Sequence, residues 1–196
     1  MARYDRQAAL VVVDVQNDFA DPNGSLYVRG GQDVVPVVNA AIREARRAGS
    51  LVVYSADSHP VSTPHFQKDG GIWPVHCVRG TWGAAFHPDL LDPAGAEHLE
   101  KGTGGEDGYS VFTVRDPETG QQEPTALERI LRERRVERIV VAGLATDYCV
   151  KETVLDARRL GFDALVLRDA VAAVDLQTGD ADRALDAMRR AGAVVE

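Results

Sequence analysis

Residues 138–161 read RIVVAGLATDYCVKETVLDARRLG. Arg138 to Leu144 is a short, nearly unbroken apolar run, the pattern of a strand buried on both faces of a parallel sheet. The residues that follow predict a helix from Asp147 to Leu160, with Thr146 as its N-cap and Gly161 as its stop. A buried strand running straight into a helix is one βα unit, and the rest of the chain repeats it. Strands are predicted at Ala8 to Val13, Leu51 to Ser55, Glu97 to Glu100, Ala164 to Leu167 and from Ala193 to Val195. Helices are predicted at Asp33 to Arg47, Thr125 to Arg135 and Asp180 to Ala191. In the first, Val34, Val37, Val38, Ala41, Ile42 and Ala45 share a face, and Gly49 ends it. In the second, Leu127, Ile130 and Leu131 point inward. Ser62 to Pro93, rich in Pro, Gly and His, reads as a long structured loop with one helical turn. Alternating strands and helices predict an α/β fold, a mainly parallel sheet covered on both faces.

Composition is consistent with this. The chain has 196 residues, 44% hydrophobic and 27% charged, as in one globular domain that needs no staples. The formal net charge of −8 disfavours a nucleic-acid backbone or an anionic membrane surface as partner. No apolar run approaches the length of a membrane helix, and Ala8 to Val13 lacks the features of a signal peptide. The two cysteines, Cys77 and Cys149, are expected as free thiols in a reducing cytoplasm.

In an open α/β sheet, ligands bind beyond the carboxyl ends of the strands. Asp14, Asp57 with His59, Lys101 and Cys149 each follow a different predicted strand, so four segments deliver polar groups to one rim. In the first turn of a helix, Cys149 would lie near unpaired N–H groups that favour a thiolate and could hold an oxyanion. By position alone it reads equally as a small buried hydrophobe. Asp14 and Lys101 are the rim groups available to activate it, although an Asp there can also cap a turn and a lone Lys can be a surface residue. Asp57, His59, His65 and His76 form a second cluster, a carboxylate and imidazoles suited to zinc, iron or manganese. The competing reading is a polar loop that happens to be histidine-rich. Cys77, after His76, would point away in extended chain and is not counted as a ligand; His87 and His98 stand apart. Phe19, Trp73 and Tyr109 lie near these groups and suggest a flat aromatic substrate, though core packing explains such residues as well.

Several segments together resemble the isochorismatase-like cysteine hydrolases. These are VVVDVQNDF (Val11 to Phe19), GSLYVRGG (Gly24 to Gly31) and GLATDYCV (Gly143 to Val150). DSHP at Asp57 to Pro60, His65–Phe66, WPVHC at Trp73 to Cys77 and KGT at Lys101 to Thr103 are similar to the nicotinamidase, or pyrazinamidase, branch. The resemblance spans about Ala8 to Val174 in order and spacing. It implies a six-stranded, mainly parallel sheet between helical layers, in one domain over residues 1–196. It implies a triad of Asp14, Lys101 and Cys149, and oxyanion donors at the backbone N–H of Ala145 and Cys149 beside a cis Leu144–Ala145 peptide. It also implies one divalent metal, zinc first, then iron or manganese, on Asp57, His59 and His76, with His65 as a further or variable ligand. Phe19, Trp73 and Tyr109 would contact the substrate. The implied reaction is hydrolysis of nicotinamide to nicotinate and ammonia through a thioester, with pyrazinamide as a second substrate, in cytoplasmic NAD salvage. The chain departs from the family at Ser58, where Trp is frequent, and in the glycine-rich stretch Gly102 to Gly108. Two other readings compete: the same cysteine chemistry on a ureido or carbamoyl amide, and a non-catalytic metal-binding protein on the same fold. No feature defines a self-complementary surface, so a homo-oligomer is left open.

Overall fold

The structure, a computed structural model, describes residues 3–91 and 96–196. Pro93, the expected end of the long loop, lies outside them. Six strands form one parallel sheet: β1 (Ala8–Val13), β2 (Leu51–Asp57), β3 (Glu97–Lys101), β6 (Arg138–Leu144), β7 (Asp163–Ala172) and β8 (Val194–Val195). Their order is β3-β2-β1-β6-β7-β8. A separate antiparallel hairpin joins β4 (Thr113–Arg115) to β5 (Gln122–Pro124).

Every residue of β1 is buried, because helices cover both faces of the sheet. Its side chains alternate between two cores. Leu10 and Val12 pack with α1 (Asn17–Ala20) and α2 (Gly31–Ala48) on one face. Ala9, Val11 and Val13 pack on the other, with α3 (Leu127–Glu133), α4 (Lys151–Arg159) and α5 (Asp180–Arg190). The fold is thus the expected three-layer α/β sandwich.

Helix α2 shows how local sequence sets an element. Val34, Val35, Val38, Ala41, Ile42 and Ala45 are buried, whereas Val37, expected on the same face, is 37% exposed. The buried stripe is shifted by the use of Val35. The helix stops where Gly49 turns left-handed (φ 74°) and Ser50 N–H reaches back to Ala45 C=O at 2.9 Å. On the central strands, Gly143 (φ 118°) pairs with Val13, and a side chain there would strike the Val13 carbonyl. The β6–β7 register also shifts between Val141 and Gly143, which bends the sheet next to the turn that carries Cys149.

Two local expectations change. Thr146 does not cap a regular helix. A π-helical turn, Thr146–Val150, follows an extended Ala145, and Val150 N–H bonds Ala145 C=O five residues back at 3.1 Å. Cys77 is not extended but left-handed (φ 45°), and its thiol is buried in the core.

Strand β1 is followed by β2 and then β3 on one side, while the chain later returns to its other side as β6. The order reverses between β1 and β6, and their carboxyl ends open a crevice there. Asp14 follows one of these strands and Cys149 the other.

Candidate active site

Parallel register brings the reactive groups together. Asp57 and Lys101 are direct partners at the ends of β2 and β3, so both side chains leave the same face. The buried Lys101 Nζ contacts the Asp57 carboxylate, lies 2.8 Å from Asp14 Oδ2 and 3.6 Å from Cys149 Sγ. Asp14 is fully buried, in a left-handed conformation (φ 48°), and accepts a 2.6 Å hydrogen bond from the Ser55 hydroxyl. Ligating atoms of Asp14, Asp57 and Cys149 lie within 4.8 Å of one another.

Burial and charge set these groups apart. Burial pushes the Asp14 carboxyl up, and Lys101 offsets this only in part. Burial acts on Asp57 in the same sense, but Lys101 and His59 outweigh it and hold that carboxyl low. Two carboxylates moved in opposite directions suit different tasks, a proton carrier and a fixed anion. Burial works against the charge of Lys101, yet Asp14 and Asp57 keep it firmly protonated. Burial also pushes the Cys149 thiol well up; Lys101 counters this, while Asp14 and Asp57 add to it. Burial thus favours the thiol over the thiolate that helix position alone suggests, so a nucleophile here would need a neighbouring base.

The second cluster adjoins the first. Ring nitrogens of His59, His65 and His76 lie within 4.8 Å of one another. Asp57 Oδ2 lies 3.8 Å from His59 Nε2 and 4.0 Å from His76 Nε2, so Asp57 borders both clusters. Both ring nitrogens of His59 are buried, and among the described residues neither has a hydrogen-bond partner. Such orphaned atoms need an explanation, and a metal ion supplies one. His76 Nδ1 makes a 2.7 Å hydrogen bond to Pro74 C=O, which leaves Nε2 facing the cluster. Burial, then the neighbouring His59 and His76, lowers His65 to about 4; burial likewise lowers His76. Neutral imidazoles are what a metal requires. Gly102 (φ 80°) makes room for this arrangement, since a Cβ there would come within 2.5 Å of His59 Nδ1. Cys77 belongs to neither cluster.

A chamber in front of Cys149 is lined by Phe19, Trp73 and Tyr109, the three aromatic residues singled out in the sequence, and by His65, His76 and Tyr148. Tyr148, although adjacent to Cys149 in the sequence, carried no predicted role.

The unassigned polar run after β1 organises the rim. Gln16 Nε2 donates to Asp57 C=O at 2.7 Å, and its Oε1 accepts from Asp57 N–H at 2.8 Å. Asp18 accepts from Ser25 N–H (3.0 Å) and Cys77 N–H (2.7 Å), tying His76's segment to the helix after β1. Asn17 Nδ2 donates to Trp82 C=O at 2.8 Å. The signal was present: three consecutive polar residues, Gln16 to Asp18, shortly after a buried strand. In the turn that carries Cys149, Asp147 accepts from Val174 N–H (3.0 Å) and Asp175 N–H (2.8 Å). The Leu144–Ala145 peptide is cis, as the family resemblance implies.

Comparison with known proteins places the chain among relatives of one fold. The isochorismatase domain model matches residues 8–196. The nicotinamidase of Escherichia coli (strain K12) is 36% identical over 203 residues, covering 95% of this chain and 93% of that protein. The crystal structure of the pyrazinamidase of Pyrococcus horikoshii in complex with zinc superposes with a TM-score of 0.86 at 40% identity, covering 97% of this chain and 98% of that one. The crystal structure of PnC1 from L. infantum in complex with nicotinate gives a TM-score of 0.88 at 32% identity, covering 100% and 95%. No helix among the described residues is long and apolar enough to cross a membrane. By these matches over nearly its whole length, the chain belongs to the isochorismatase family.

Proposed function

We propose that this protein is a nicotinamidase, hydrolysing nicotinamide to nicotinate and ammonia and accepting pyrazinamide, in the cytoplasmic salvage of NAD. The observation that carries this reading is the contact between the two clusters through Asp57: an Asp–Lys–Cys group on one side and three imidazoles on the other. An acyl-transfer centre beside a nitrogen-ligand metal site fits an amide borne on a ring that itself carries a ligand nitrogen. A ureido or carbamoyl amide gives the imidazoles no such partner, and a binding protein gives none to Cys149. The similarity to a zinc-bound pyrazinamidase and a nicotinate complex supports the same substrate class.

In this reading residues 1–196 act as one domain. Asp14 accepts the Cys149 thiol proton as Sγ attacks the carboxamide carbon, and Lys101 steadies the negative charge that passes between them. The backbone N–H groups of Ala145 and Cys149 receive the developing oxyanion. Asp14 returns its proton to the departing ammonia, then activates the water that hydrolyses the thioester. Phe19, Trp73 and Tyr109 hold the ring. A divalent metal, zinc by preference, fits Asp57, His59, His76 and His65, and when bound supplies a Lewis acid that anchors the pyridine nitrogen.

The deciding test is ammonia and nicotinate release from nicotinamide by purified, zinc-loaded protein. Stoichiometric appearance of both products is expected; no release from folded, loaded enzyme would overturn the assignment. Stripping the metal with a chelator should raise KM for nicotinamide by about tenfold or more, because the ring loses its anchor. Kinetics that do not change in verified metal-free protein would remove the anchoring role. Gly102→Ala should weaken zinc binding by about 10–100-fold, the usual cost of disturbing a group that orients a ligand. Calorimetric titration with zinc reads this directly, and wild-type affinity in the variant would disprove it.

A further inference from the structure

The chamber in front of Cys149 has a volume of about 30 Å³. Ligand pockets ordinarily measure roughly 300–1,000 Å³. A pyridine carboxamide enters only if a wall moves, and the walls are unequally held. Phe19, Trp73 and His76 are buried. Trp73 Nε1 donates a 3.0 Å hydrogen bond to the Tyr109 hydroxyl, locking those two rings together. Leu26 and Val174 are fixed through their backbone N–H groups, to Asp18 C=O (3.2 Å) and the Asp147 carboxylate (3.0 Å).

Tyr148 is half-buried, as Tyr109, Leu26 and Val174 are, but its hydroxyl is not tied down as that of Tyr109 is. Its ring makes edge contacts with Trp73 (centroids 4.9 Å apart) and Tyr109 (5.2 Å). Among the described residues no hydrogen bond anchors its hydroxyl. Tyr148 also lines a second, outer cleft of about 300 Å³ whose walls include Lys151, Asp180, Arg183 and Ala187. Rotation between staggered χ1 wells carries a ring from one space towards the other with the backbone of the π-turn unmoved. The outer cleft offers charged partners for the hydroxyl once it has swung out.

We propose that Tyr148 is the movable gate of the chamber and a determinant of the ring size it admits. The substrate half of this statement rests on the nicotinamidase reading, whereas the gate itself does not. Opening through a minor state populated at roughly 0.1–10% slows every access event by that fraction.

The test is alkylation of Cys149 by a small and a large reagent of one chemistry, N-methylmaleimide and N-phenylmaleimide, each normalised to its rate with glutathione. Peptide mass mapping follows Cys149 and uses the core thiol Cys77 as internal reference. Because both reagents meet the same thiol, the ratio of their rates is independent of its ionisation. Tyr148→Ala is expected to accelerate Cys149 labelling by about tenfold or more, with the larger gain for the larger reagent. Tyr148→Phe, which keeps the ring, should retain the wild-type size ratio. An unchanged ratio in Tyr148→Ala would overturn the gate. So would labelling of Cys77 in step with Cys149, since that marks general loosening.

Turnover of nicotinamides methylated at each free ring carbon tests admission. Tyr148→Ala should raise kcat/KM for at least one of them, relative to nicotinamide, by about tenfold. Equal ratios across the set would remove the specificity role. If no variant turns over nicotinamide while the labelling pattern holds, the substrate assignment fails and the gate stands.

Discussion

Cys149→Ala should lower ammonia release from nicotinamide by about 10⁴-fold or more, with the fold and zinc binding retained. The size of the effect follows from the pathway: without Sγ no thioester forms, and the other groups act only around that bond. The retained fold follows from the local geometry. Sγ lies 3.6 Å from Lys101 Nζ and shares a hydrogen bond with the Asp14 carboxyl, and the rest of Cys149 packs against the apolar face that includes Val150 and Val13. Removing one sulfur from this face costs about 1 kcal/mol. Steady-state ammonia assays, circular dichroism and zinc titration on the same preparation separate the two halves of the prediction. Activity within a hundredfold of wild type would mean that Asp14 activates water directly and that the covalent route is wrong. Mass spectrometry of the wild-type enzyme under turnover should detect the acyl adduct on the Cys149 peptide.

Lys101→Met is expected to destabilise the metal-free protein by about 3–5 kcal/mol at neutral pH, and to abolish turnover. The side chain keeps nearly its length but loses the cation between Asp14 and Asp57, leaving two buried carboxylates facing one another. The sign of the pH dependence follows. In the wild type, Lys101 and His59 hold Asp57 low, so its stabilisation is present above the unfolded pKa and fades as pH falls through the folded one. Asp14 is already raised, and the variant raises both carboxyls further, so its native state binds protons more tightly than its unfolded state. The stability gap between wild type and variant should therefore narrow as pH falls. Urea unfolding from pH 8 to pH 5, in the presence of a chelator, measures it. A gap that is flat or widens in acid would show that the carboxylates are not what Lys101 holds.

Much of the architecture was legible because burial on two faces leaves a strong imprint. Ala8–Val13 and Arg138–Leu144 are found at the residues predicted, each as a continuous apolar run. Where that imprint weakens, the reading falls short. β7 runs to Ala172 rather than Leu167, since Arg168 and Asp169 interrupt the apolar run while the strand continues and pairs Val171 with Gly143. The β4–β5 hairpin was not predicted: its strands are half-buried or exposed, and cross-strand hydrogen bonding rather than hydrophobic pattern defines them. The π-turn at Thr146–Val150 has the composition of an ordinary helix start, so only its backbone distinguishes it.

By itself the sequence determined the βα order and the reactive residue types, because periodicity and composition are local properties of a chain. It placed Asp14, Lys101 and Cys149 on one rim, and the histidines in one loop. Only the tertiary structure decided how they divide the work. The β2–β3 register sets Lys101 against Asp57, and the reversal of strand order brings Asp14 beside them. Desolvation and Coulomb energy depend on burial and on separations of a few ångströms, which no spacing along the chain encodes. Those two quantities push Asp14 and the Cys149 thiol up and Asp57 down, while packing leaves both ring nitrogens of His59 without a hydrogen-bond partner among the described residues.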